Sequence, residues 1–102
     1  MKKYNKLVRD KIPEIIEKDN KKCIYEIAEK QEHYLLLETK LKEEVNEFLE
    51  DKNIEELADV MEVLFGLADN LGYSEEDLLK VREQKKEERG GFKKGIVLKG
   101  VE

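Results

Sequence analysis

The 102-residue chain has one cysteine, one histidine, one proline and no tryptophan. A lone thiol, Cys23, excludes an intramolecular disulfide, and one Cys with one His disfavours a zinc site built from thiolate and imidazole. No apolar run approaches a signal-peptide h-region or a membrane span, so no membrane partner is expected and a cytoplasmic location follows by default. The chain is also short. A domain of this size has a high surface-to-volume ratio, and a second copy would help it bury a core.

What it has in abundance is charge: 44% of residues are Asp, Glu, Lys or Arg, with a net charge of -5. Disorder is not the expectation, because Leu, Ile, Val and Phe recur at regular spacing. The acidic balance argues against binding a nucleic acid duplex, and the distribution along the chain says more. Residues 2–11 carry Lys2, Lys3, Lys6, Arg9 and Lys11 against Asp10 alone, whereas residues 43–62 carry nine acids against Lys52. An acidic centre with basic ends suits a metal held beside a phosphate chain.

Local signals predict a mainly α chain. Pro13 fits the first turn of a short helix running to about Lys18, where Asp19-Asn20 ends it. Three longer helices are expected near 30–51, 53–71 and 74–89. Their limits are set by Asp51-Lys52-Asn53, by Gly72 as a stop, and by Ser74 as an N-cap with Asp77 three residues on. Residues 23–27 (Cys-Ile-Tyr-Glu-Ile) and 95–98 (Gly-Ile-Val-Leu) are rich in β-formers and are expected as two short peripheral strands, natural partners for each other. No repeat, linker or low-complexity tract interrupts the pattern, so residues 1–102 read as one helical domain.

On a wheel of ~100° per residue, Tyr34, Leu37, Leu41, Val45 and Phe48 form one stripe on the first long helix. Glu44 falls inside the edge of that stripe, with Glu47 one turn along. The next helix is apolar over more than half its circumference, yet Glu56 and Asp59 flank Val63 there. Burying an unpaired carboxylate is expensive, and a cation would remove the cost. Two i, i+3 acidic pairs on helices joined by a short connection could face each other across an antiparallel hairpin. Hard oxygen ligands suit Mg²⁺ or Mn²⁺. The plain alternative is that these are ordinary solvated acids, in a chain where 25 of 102 residues are Asp or Glu.

The motifs Glu44-x-x-Glu47 and Glu56-x-x-Asp59 resemble the E-x-x-E and E-x-x-D marks of the MazG-like all-α nucleoside triphosphate pyrophosphohydrolases. That group also includes phosphoribosyl-ATP pyrophosphohydrolase. The opening Tyr4-Asn5-Lys6-Leu7-Val8-Arg9-Asp10-Lys11-Ile12-Pro13 and the late Arg89-Gly90-Gly91-Phe92 are similar to segments of its small bacterial and phage members. The resemblance implies a helical bundle completed by a homodimer or higher homo-oligomer. It also implies Mg²⁺-dependent cleavage between the α and β phosphates of a nucleoside triphosphate, giving a monophosphate and pyrophosphate. Glu44, Glu47, Glu56 and Asp59 would be metal ligands, and Glu43 or Glu47 the base that orients the water. Eight residues separate Glu47 from Glu56, fewer than in typical MazG proteins, which leaves the substrate open.

A triphosphate also needs cationic partners. Lys85 and Arg89 stand four apart on the last helix, and Arg9, Lys11 and Asn5 form a second candidate set. Two other classes compete with the enzyme: a module that binds nucleotide and metal without turnover, and a helical dimerisation protein whose acids are only solvated. His33 reads as an exposed imidazole or a local hydrogen-bond partner, Cys23 as a small core residue, and Tyr34, Tyr73 and Phe92 as packing residues before base-stacking ones.

Overall fold

A computed structural model describes residues 5–102. Lys2, Lys3 and Tyr4 of the basic opening lie outside the described residues. Four helices follow in order: α1 (Ile12–Lys18), α2 (Lys30–Asp51), α3 (Ile54–Asn70) and α4 (Glu75–Arg89).

The helix limits have local causes. Asn53 caps α3 by accepting from the Glu56 amide at 2.9 Å, after Lys52 reverses the chain in the left-handed region at φ 52°. That two-residue connection makes α2 and α3 a tight hairpin. At its far end the Asn70 amide donates to the Lys30 carbonyl at 3.1 Å, so the two helices run antiparallel. Gly72, at φ 96°, ends α3, with the Tyr73 amide bonded to the Ala68 carbonyl and the Gly72 amide to that of Asp69. This is a Schellman closure, and it needs the positive φ that glycine supplies without strain. Ser74 and Asp77 then close a reciprocal capping box on α4.

The core lies between α2 and α3. Leu37, Val63 and Ala68 are buried, with Leu41, Phe48, Val60, Phe65 and Leu67 half-buried around them. Gly66 lets the helices approach, since a Cβ there would stand 3.0 Å from a Leu37 methyl carbon. Of the predicted α2 stripe, Val45 turns outward at 37% exposure, and the neighbouring inward position belongs to Glu44.

Beyond the hairpin little is packed. α4 touches α3 alone, and α1 packs against no other helix. The radius of gyration is 17.9 Å, with extents of 63 × 31 × 22 Å, whereas a compact domain of this length has about 13 Å.

The two expected strands are absent, and the described residues contain no β-structure. Residues 23–27 and 95–98 are irregular, and Ile24, Tyr25, Ile27, Ile96, Val97 and Leu98 are all exposed. β-propensity reflects packing on a half-buried pleated surface more than an intrinsic backbone preference. Neither segment has a ladder partner or a surface to lie on. Cys23, expected in the core, is only half-buried.

Candidate metal centre

The α2–α3 connection decides which side chains meet. With a reversal of two residues, the last turns of α2 lie beside the first turns of α3. Glu44, Glu56 and Asp59 thereby offer carboxylate oxygens all within 4.8 Å of one another, and so do Glu43, Glu44 and Glu47. Glu44 belongs to both groups.

Glu44 is the anomaly in this cluster, at 7% exposure the one buried charged residue among those described. One of its oxygens, Oε1, lies 3.3 Å from the Lys40 ammonium. Its Oε2 is buried with no hydrogen-bond partner, as is Oε2 of Glu56. Two sequestered carboxylate oxygens without donors carry a desolvation cost that folding alone does not explain.

Protonation answers part of that cost. Glu47 is held above the ordinary glutamate value of 4.5, first by a hydrogen bond to Glu44, then by the charge of Glu44, by burial, and by Glu56 and Glu43. The Glu56 carboxyl is raised by burial, then by Asp59, Asp51 and Glu44, against a hydrogen bond from Glu47 that lowers it. With every carboxylate ionised the two Oε2 atoms have no donor, whereas a proton on Glu47 supplies one. A cation would supply the same positive charge to several oxygens at once.

Three cations border the acids. Arg9 Nη2 lies 2.6 Å from Asp59 Oδ1, Lys6 Nζ lies 3.4 Å from Glu43 Oε1, and Lys40 lies near both Glu43 and Glu44. The sequence argument missed Lys6 and Lys40. Lys40 carried a signal, standing four residues before Glu44 on the same helix face. Lys6 carried none beyond its place in a basic segment.

The remaining candidates stand apart. Asn5 and Lys11 are exposed and make no hydrogen bond or ion pair with the acidic cluster. Lys85 and Arg89 lie on α4, which has no contact with α2 and is exposed throughout. Within one chain, therefore, the acidic motifs converge and the α4 cations do not join them.

The donor set is all oxygen, which fits a hard divalent cation and offers no nitrogen or sulfur ligand. The two carboxylate groups can chelate such an ion. No family model, curated protein or solved structure matches the chain. Among the described residues, no helix is long and apolar enough to cross a membrane.

If Glu44 is retained for a cation, Glu44→Gln relieves repulsion in the metal-free protein. Its melting temperature should rise, by about 1 kcal/mol in stability, while calorimetric Mn²⁺ affinity falls at least about tenfold. A destabilised variant that keeps its Mn²⁺ affinity would contradict this role.

The raised Glu47 and Glu56 carboxyls give a second expectation. The folded protein binds more protons than the unfolded chain between 4.5 and their raised values, so their contribution to stability is present at low pH and is lost as pH rises through that window. Melts of the metal-free wild type should therefore lose ground to Glu47→Gln/Glu56→Gln as pH rises from 4.5 toward neutral. A pH-independent difference between the two proteins would refute the assignment.

Proposed function

We propose that the chain is a Mg²⁺-dependent nucleoside triphosphate pyrophosphohydrolase, with Mn²⁺ as an alternative ion. The observation that carries this reading is the buried, donorless Glu44 oxygen beside Glu56 and Asp59. The resemblance of both acidic motifs to those of the MazG-like enzymes supplies the reaction class.

In this reading Glu44, Glu56 and Asp59 hold the ion, with Glu47 completing the set from the α2 side. When bound, the ion would polarise phosphoryl oxygens, neutralise developing charge and acidify the attacking water. Glu43 or Glu47 orients that water. That carboxylate would accept the water's proton. The water oxygen bonds to phosphorus as the bond to the bridging oxygen breaks, releasing a nucleoside monophosphate and pyrophosphate.

The reading includes a second copy of the chain. Ile54, Leu57, Met61 and Leu64 form an exposed stripe on α3, on the side away from α2, with Ile54 at 77% exposure. An apolar face at helical spacing with nothing over it is what a helical homodimer buries. Because α4 does not contact α2, Lys85 and Arg89 join a phosphate site in this scheme from the second copy.

A pyrophosphate-release assay over canonical and modified nucleoside triphosphates and phosphoribosyl-ATP, with and without Mg²⁺, tests the activity. Release should require Mg²⁺ and drop about 100-fold or more in Asp59→Asn. Activity indifferent to that substitution would sink the site. Metal-dependent nucleotide binding without release would make the chain a binding module instead.

Sedimentation tests the assembly. Wild type should sediment as a dimer or larger oligomer at micromolar concentration, and Met61→Glu, which places a charge in the middle of the stripe, should shift it to monomer. A monomeric wild type would remove the oligomer from the scheme.

A further inference from the structure

The basic opening of the chain lies across the acidic centre. Arg9 and Asp59 are fifty residues apart in sequence, yet their 2.6 Å ion pair is the shortest in the described structure. Lys6 reaches Glu43 in the same way from three residues earlier. Each of the two carboxylate groups therefore has one of its members paired to a cation from residues 5–11.

Among the described residues, little else holds this strap down. Leu7 is its one half-buried residue, and the segment leads into α1, which packs against no other helix. The Arg9 side chain remains 57% exposed. Exposed ion pairs of this kind are weak and exchange readily for a stronger counter-ion. A divalent ion among Glu44, Glu56 and Asp59 is such a competitor, and it would sit close enough to the guanidinium for like-charge repulsion to matter.

We propose that Arg9 is a built-in counter-ion for Asp59 that a divalent cation expels, and that the freed guanidinium then binds the phosphate that joins the metal. This rests on the metal reading above. Arginine suits both states, since its planar fork pairs equally well with a carboxylate and a phosphate. Asp59 would be screened by its own chain while metal-free, and the cation that displaces the strap would at once leave a phosphate-binding group beside itself.

The test is Arg9→Gln against wild type, with Arg9→Lys as a charge-retaining control and circular dichroism to check folding. Calorimetric titration with Mg²⁺ alone should give binding about threefold to tenfold tighter in Arg9→Gln, because no internal cation has to leave. Pyrophosphate binding at saturating Mg²⁺ should move the other way, weaker by about tenfold. A residue that merely supports the fold would weaken both. Mg²⁺ affinity equal to or below wild type, or unchanged pyrophosphate affinity, overturns the proposal while leaving the metal reading intact. Absence of Mg²⁺ binding in both proteins overturns the metal reading itself.

Discussion

The candidate site depends on a carboxylate placed where an aliphatic side chain would ordinarily go. Glu44 occupies the inward edge of α2 and Val45 faces out, opposite to what packing alone favours. The two-residue turn at Lys52-Asn53 then sets Glu56 and Asp59 against it, so the turn end of the hairpin gathers its crowded carboxylates. The ammonium of Lys40 relieves the repulsion in part, and the remaining crowding of carboxylates raises the pKa of Glu47. The unsatisfied remainder is the physical basis of the functional reading.

The rest of the molecule reflects how little the hairpin encloses. Among the described residues, three buried apolar side chains make a small core, and α3 carries a second apolar stripe facing solvent. The long radius of gyration has the same origin, because α1 packs against no other helix and α4 meets α3 alone. Such a helix pair is half of a bundle in shape.

Much of this was legible in the sequence because helices are local. Their limits follow from residues within a turn of each end: Ser74 and Asp77 in a capping box, Asn53 at an N-cap, Gly72 at a positive φ. Periodicity also placed Glu44 beside an apolar stripe. The β-rich stretches at 23–27 and 95–98 misled, since a strand is defined by a partner and neither segment has one. Composition cannot register that absence.

The sequence by itself determined the four helices and the two acidic motifs, because i, i+3 and i, i+4 relations are set within one helix. Only the tertiary structure decided that the motifs converge, because the fit of Gly66 to Leu37 and the turn at Lys52 act between helices. It also decided how the basic residues divide. Arg9 and Lys6 meet the acids and Lys85 and Arg89 do not, since long-range charge pairing depends on the path of the backbone and not on the order of residues.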